Sequence, residues 1–281
     1  RLILRRGNSA DVLDALMQET GARAIHALHH YEPWWRNADR AVGKAHNLIL
    51  HHGNYLLPPG TLTTGSGALY KIYTPFMRAT IQHMPPPAPL PAPAHLPAPK
   101  HWPKSEALVD WHLLPTKPDW ATGFTKEWTP GETGAAARLD RFAPIAAHYA
   151  ETRNLPAMEG VSRLSPHLHF GEISPAAIWH AINGKSDGTQ TFLRELIWRD
   201  YAQNIILSLP DYGRTNGKPA FDAFPWRDHV GEAAPDLAAW KAGSTGYPIV
   251  DAGMRQLWAT GWMHNRVRMI TASFLIKHLL I

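Results

Sequence analysis

The sequence predicts an α/β region followed by a mostly α-helical region. Three observations support this prediction: short apolar runs alternate with a helical pattern near the start, a stretch rich in Pro and Ala follows, and apolar spacings of three and four dominate the rest. At 281 residues the chain can form one large domain or two ordinary ones. We expect a partial α/β domain at 1–80, a linker at 81–131 and a helical domain at 132–281.

The first region has the alternation that is typical of βαβ units. Strand-like apolar runs occur at residues 2–4, 24–28 and 48–50, and a helical pattern occupies residues 10–20. The chain begins within the first run and ends inside an apolar helix, so we expect both ends to be internal to a longer protein.

Residues 84–100 are dominated by Pro and Ala, a composition that favours extended, polyproline-like backbone and forms no packed core. The stretch from there to Trp128 keeps scattered Trp and Pro without helical periodicity. We therefore expect a connector that lies over the surface of both domains.

Residues that are typical of helix starts and helix ends recur through the last region. Ser174 followed by Pro175 is a helix start, and Gly184 lies where that helix is expected to end. Residues 235–243 show the same pattern, with a proline at the start and a glycine at the end. Further helices are expected in three ranges with apolar spacings of three and four, namely 192–209, 248–260 and 263–281.

Composition limits the classes of function. The formal net charge is +5, which permits a nucleic acid as partner without requiring one. The absence of cysteine excludes disulfides, thiolate zinc sites and a cysteine nucleophile, and it fits a cytoplasmic protein. We expect no metal site, and the most apolar stretch, residues 270–281, is too short to span a membrane.

Residues 160–174 are rich in hydroxyl groups and turn formers, so we expect a loop that leads into a helix. Such a loop offers hydroxyl and backbone N–H groups to an anion such as a pyrophosphate. A capped surface turn is the alternative, and the residues of this segment taken alone favour that simpler interpretation.

Two helical clusters are candidates for a site. Glu195, Trp198 and Arg199 have i, i+3, i+4 spacing, so they share a helix face and can line one cavity. The alternative is a surface Glu and Arg pair beside a core tryptophan.

The second cluster contains Asn265 and Met269 at i, i+4, with Arg266 and Arg268 on neighbouring faces. A neutral amide and a thioether suit a site of electron transfer, because neither becomes charged. The alternative is that Met269 fills a core and that the arginines are solvated.

Four strings in this order resemble the photolyase and cryptochrome family, nearly residue by residue from Tyr149 onward. They are VSRLSPHLHFGEIS at 161–174, ELIWR at 195–199, TGYPIVDAGMR at 245–255 and WMHNRVRM at 262–269. Asn265 and Met269 most resemble the class I cyclobutane pyrimidine dimer photolyases. The resemblance implies a partial Rossmann-like antenna domain followed by a mostly α-helical FAD-binding domain.

The resemblance also implies roles for individual residues. The expected catalytic residues are Glu195, Trp198, Asn265 and Met269. The expected FAD-binding residues are Tyr149, Val161, Ser162, Arg163, Leu164, Ser165, Arg199 and Asn265. The expected DNA-binding residues are Arg153, Glu195, Trp198, Asn265, Arg266 and Arg268. Val161 departs from the Thr of many relatives, so one hydroxyl contact to the flavin phosphate is expected to be missing.

By this resemblance, the expected function is light-dependent repair of pyrimidine dimers in damaged DNA by electron transfer from reduced FAD. A folate-type antenna such as methenyltetrahydrofolate, or another chromophore, is left open, and a monomer is expected. The alternative is a cryptochrome-type blue-light receptor that binds FAD without repair. Apart from the resemblance, a flavin-free helical DNA-binding module also fits the pattern.

Overall fold

The computed structural model describes residues 1–182 and 184–281. The chain forms two compact units that interleave along the sequence. The first contains Arg1–Leu113, Leu168–Lys185 and Gln190–Arg214, and the second contains Leu114–His167, Ser186–Thr189 and Thr215–Ile281. Because this grouping does not follow chain order, the predicted boundaries at 1–80, 81–131 and 132–281 stay a prediction.

Helices dominate the described residues. In chain order, the α-helices and strands are α1 (Ser9–Thr20), β1 (Ile25–Leu28), α2 (Pro33–Ala45), β2 (Leu48–His51), α3 (Tyr73–Ile81), α4 (Phe124–Glu127), α5 (Glu132–Phe142), α6 (Tyr149–Thr152), α7 (Ser165–His169), α8 (Pro175–Ala181), α9 (Asp187–Ser208), α10 (Ala234–Ala242), α11 (Pro248–Thr260) and α12 (Asn265–Ser273). Shorter helical turns are Leu108–Trp111, Ala143–His148, Pro219–Ala223 and Phe274–His278. The predicted order of α/β elements followed by helices is confirmed.

The strands β1 and β2 pair in parallel, with Ile25 opposite Leu48. Parallel pairing across α2 is the βαβ arrangement that the apolar runs predicted. The strand expected at residues 2–4 is wrong, because that segment is irregular. Its Leu4 exchanges hydrogen bonds with the equally irregular residues Ser105 and Glu106 instead.

Helix α9 presents one buried stripe with spacings of three and four. The stripe begins apolar and becomes polar toward the carboxyl end of the helix, and its members are Phe192, Leu193, Leu196, Ile197, Asp200, Gln203 and Asn204. The preceding helix, α8, starts as predicted, since the Ser174 hydroxyl accepts the N–H of Ala177 at 3.0 Å. It ends at Ala181, before the predicted Gly184.

The second unit has an apolar core between α11 and α12. Its buried members are Val250, Met254, Met263, Val267 and Phe274. Gly253 allows the two helices to approach closely, because a Cβ there would lie 2.3 Å from a methyl group of Val267.

Three further predictions need correction. The segment at 160–174 is not all loop, because Ser165–His169 forms α7 once Pro166 supplies a helical φ at its start. The last helix begins at Asn265, two residues after the predicted start, and becomes a π-turn at Phe274. The linker carries a helical turn at Leu108–Trp111 and the short α4, although residues 84–100 contain neither helix nor strand.

Two negative findings apply to the described residues. None of their helices is both long enough and apolar enough to cross a lipid bilayer. Within the same part of the chain, no three side chains of the usual ligand types form a cluster that would hold a metal ion.

Candidate functional site

Trp198 projects from α9 as a partly exposed indole, with 45% of its surface accessible. Its ring lies parallel to that of Tyr73, with centroids 3.5 Å apart and an angle of 9° between the planes. Tyr201 meets the same indole edge-on at 5.6 Å. The alternative that Trp198 is a core residue is therefore wrong.

The side chain of Arg199 makes its contacts within the protein. Its guanidinium donates to the backbone and side-chain oxygens of Asn54 and to the carbonyl of Leu168 at 3.3 Å, and it lies over the ring of Tyr55. Glu195, one turn earlier on α9, is half-buried. Arg199 thus has a structural task that spacing did not indicate, and its predicted contact with the cofactor stays a prediction.

Two buried polar residues of α9 hold the segment around residues 56–60. The N–H groups of Leu56 and Leu57 donate to Oδ2 of Asp200 at 2.9 and 3.1 Å, and that of Gly60 donates to Asn204 at 3.0 Å. The other oxygen of Asp200 is buried without a partner among the described residues. Burial raises the pKa of Asp200 to about 7.

In the second unit, Arg163 holds the hydroxyl-rich segment in place. Its φ is +51°, and its guanidinium lies 4.3 Å from the ring centroid of Trp262. It also pairs with Glu159 at 2.9 Å and Glu127 at 3.5 Å. The charge of Arg163 is therefore balanced within the protein, and its side chain positions the loop.

The rest of this segment offers donors suited to an anion. Ser162 is half-buried and accepts the N–H of Leu164 at 3.3 Å, while Ser165 is exposed where α7 begins. Residues 161–165 contain no carboxylate that would repel a phosphate, and the side chain of Val161 adds no hydroxyl. Hydroxyl and N–H donors of this kind fit a pyrophosphate.

Tyr149, at the start of α6, is half-buried. Its ring meets Phe142 edge-on at 5.8 Å, and Arg153 lies over it at 5.4 Å. The predicted flavin contact and the predicted DNA contact are therefore neighbours on one helical turn.

His264 determines where α12 begins. It is 1% exposed, and its Nδ1 accepts the N–H of Arg266 at 3.1 Å, which caps the helix. Burial lowers the pKa of this histidine, and the nearby Arg266 adds to the effect, so a neutral imidazole is favoured. This cap places Asn265 as an exposed first residue of α12.

Met269 lies one turn after Asn265 and is 56% exposed, so the alternative of a core filler is wrong. It borders an open cleft of about 720 Å³, which it shares with Tyr247, Ile249, Val250, Ile270, Ser273, Phe274, Lys277 and His278. Arg266 donates to Asn154 at 2.7 Å and contacts the Met269 sulfur at 3.4 Å. Arg268 is exposed and reaches the carbonyl of Met263 at 3.4 Å.

The string at 245–255 has a structural task. Asp251 accepts the N–H and the hydroxyl of Thr245 and the N–H of Gly246, all within 2.9 Å. These hydrogen bonds lower the pKa of Asp251 and hold the turn that precedes α11.

The four predicted catalytic residues fall into two pairs, one in each compact unit. Glu195 and Trp198 are on α9, whereas Asn265 and Met269 are on α12. Sequence reasoning missed Tyr73 as the partner of Trp198 and His264 as the cap of α12. The Tyr73 contact left no signal, because its partner is far away along the chain.

Comparison with known families assigns both ends of the chain to one family. Residues 1–94 match the family described as DNA photolyase, and residues 192–281 match the FAD binding domain of DNA photolyase. These matches and the fold define a protein with the photolyase fold. The chain belongs to the photolyase and cryptochrome family, as the four strings predicted.

Individual relatives agree with this assignment. A deoxyribodipyrimidine photo-lyase of Agrobacterium fabrum is 47% identical over all of this chain and 60% of its own length. The crystal structure of a bacterial class III photolyase from Agrobacterium tumefaciens has a TM-score of 0.95 at 47% identity, with the same coverage. A Synechocystis cryptochrome structure has a TM-score of 0.78 at 26% identity, covering 97% of this chain and 59% of its own. The chain thus spans about 60% of the length of these relatives.

Proposed function

We propose that the protein repairs cyclobutane pyrimidine dimers in DNA under blue light, with FAD as its cofactor. The observation that carries the proposal is the exposed, stacked indole of Trp198 in a chain that belongs to the photolyase and cryptochrome family. An aromatic face open to solvent is what a flipped-out base stacks on.

Trp198 provides one wall for the lesion. A dimer already distorts the stacking of its neighbours, so flipping it from the duplex costs less than flipping a normal base. The indole then offsets part of that cost by stacking, which contributes about 1–3 kcal/mol per base. Glu195, on the same helix, is assigned to the polar edge of the pyrimidine.

The FAD phosphates are assigned to the hydroxyl and backbone N–H groups of residues 161–165 and to Tyr149, because such donors fit a phosphate and the neighbouring carboxylates of Glu159 and Glu127 are paired with Arg163. When bound in its reduced form, FAD supplies the electron that light drives into the dimer. Asn265 and Met269 border that site with an uncharged amide and thioether, which leave the electrostatic potential there nearly unchanged.

Arg153, Arg266 and Arg268 are assigned to DNA phosphates. Guanidinium groups match phosphate oxygens geometrically, and such contacts position a protein on DNA without reading its sequence. The formal charge of +5 favours this association. We therefore expect binding to weaken as salt is added.

The finer assignments are also proposals. Class I was predicted from Asn265 and Met269, but the similarity to a structure described as a class III photolyase favours class III. A folate-type antenna, a monomeric state and a cytoplasmic location stay predictions.

The direct test is repair of dimer-containing oligothymidine by the full-length protein with its flavin reduced, under blue light and in the dark. We expect repair only under light, and a loss of lesion affinity of at least about 5-fold in Trp198→Ala, from the stacking contribution. Trp34→Ala, which removes an exposed tryptophan of α2, is the matched control. Flavin binding and dark binding of DNA without photorepair would instead identify a cryptochrome-type receptor.

A further inference from the structure

We propose that Tyr73 is a positioning residue for the lesion, holding the Trp198 indole so that a flipped base completes a three-ring stack. This inference rests on the proposed function, since it concerns the same aromatic wall. It assigns a task to Tyr73, a residue that lies outside the four strings on which the family resemblance rests.

The geometry fixes the orientation of the indole. The centroid separation of 3.5 Å and the angle of 9° place Tyr73 flat against one face of Trp198. The Tyr73 hydroxyl donates to the Arg194 carbonyl at 3.0 Å, one turn earlier on α9. The phenol ring is therefore held both by its face and by its polar end.

Tyr201 secures the same arrangement from the side. Its ring meets both Trp198 and Tyr73 edge-on, and its hydroxyl donates to the carbonyl of Lys71 at 2.7 Å. That bond fastens the backbone just before Tyr73 to α9. The chain therefore orders the indole before any ligand arrives.

The accessible part of Trp198 is consistent with a platform for a base. One face lies against Tyr73 and one edge against Tyr201, yet 45% of the side chain remains exposed. In the proposed platform the base stacks on the face opposite Tyr73, because that face is flat and apolar and is not the one that Tyr73 covers. Ordering the indole in advance reduces the conformational entropy that is lost when a base binds.

The test compares Tyr73→Leu, Tyr73→Phe and the control Tyr212→Leu, which alters an exposed tyrosine of the same unit. Dissociation constants are measured in the dark for oligothymidine with and without a dimer. We expect Tyr73→Leu to weaken lesion binding about 3- to 10-fold, the range of an aromatic pair. For Tyr73→Phe and Tyr212→Leu, the dissociation constant for the dimer-containing oligothymidine should stay within about twofold of the wild-type value. The affinity for undamaged DNA should not change in any of the three variants.

A double-mutant cycle with Trp198→Ala separates positioning from general packing. If Tyr73 acts through the indole, Tyr73→Leu will add no further loss in the Trp198→Ala background. An equal loss in both backgrounds, or wild-type lesion affinity for Tyr73→Leu, would overturn the inference.

Other results distinguish this inference from the proposed function. If Trp198→Ala itself leaves lesion affinity unchanged, the proposed platform is wrong and the inference fails with it. If Trp198→Ala weakens binding but Tyr73→Leu does not, only the inference fails. Should Tyr73→Leu not fold, Tyr73→Met keeps the apolar volume without the planar ring, and the same outcomes apply.

Discussion

Helices α9 and α12 carry site residues at the same helical spacing but use them differently. In α9, Arg199, Asp200 and Asn204 are committed to the backbone of residues 54–60. In α12, Asn265 and Met269 are exposed. A buried polar side chain that holds another segment contributes to stability, whereas an exposed one remains available to a ligand.

The largest effect on stability is expected from the pH dependence of Asp200. Its pKa of about 7 in the folded protein is far above the value of 3.8 for an ordinary carboxyl. Between these two values the folded state keeps a proton that the unfolded state has lost, so the contribution of Asp200 to stability is greatest below pH 4 and falls as the pH rises to 7. We expect this group to lower the free energy of unfolding by up to about 4 kcal/mol over that range.

Urea unfolding between pH 4 and pH 8 checks this expectation, with Asp200→Asn as the reference that cannot titrate. The amide keeps an oxygen for the two N–H groups, so the difference between the two proteins isolates the carboxyl. A difference that does not change with pH would contradict the assignment.

A pair of asparagines tests the contrast between the helices directly. Asn204→Ala removes the acceptor for the N–H of Gly60 in a buried setting, and we expect it to cost about 2 kcal/mol. Asn265→Ala removes an exposed amide, and we expect a change within about 0.5 kcal/mol. Chemical denaturation of both variants measures the loss in the free energy of unfolding. Equal losses would show that the two helices do not differ in this way.

Arg163 gives an intermediate case, because its side chain is mostly buried but its role is to hold a loop. Arg163→Met removes the pairs with Glu127 and Glu159 and the cation–π contact with Trp262, and we expect a loss of about 1–2 kcal/mol. Arg163→Lys keeps the charge without the planar fork, so it should recover only part of the loss. Thermal unfolding and flavin content are measured together for both variants. No change in either quantity would contradict the expectation.

The smallest effect on stability, but not on repair, is expected at Met269. Met269→Leu keeps an apolar side chain of similar volume at an exposed position, so stability should change by less than about 0.5 kcal/mol. On the proposed function, we expect repair per absorbed photon to fall several-fold, because the branched side chain changes the shape of the cleft that Met269 borders. Met158→Leu, which makes the same change at an exposed methionine of the same unit outside this cleft, is the control and should leave repair unchanged.

Much of the fold could be predicted from local patterns. Helix α11 begins and ends at the predicted residues, since Pro248 and Gly261 mark its limits, and the parallel strands follow from their apolar runs. The strand at residues 2–4 failed because apolar runs indicate burial without indicating a pairing partner. Helix α7 was missed because hydroxyl groups at a helix start look like a loop.

The sequence by itself determined the family, the order of elements and the identity of the candidate residues, because these depend on residue types at short spacing. Only the tertiary structure decided which of those residues are exposed and which hold the protein together. Trp198 and Arg199 are adjacent in the chain, yet one presents an open ring and the other binds Asn54. That difference depends on partners more than a hundred residues away, such as Tyr73, and no local pattern contains them.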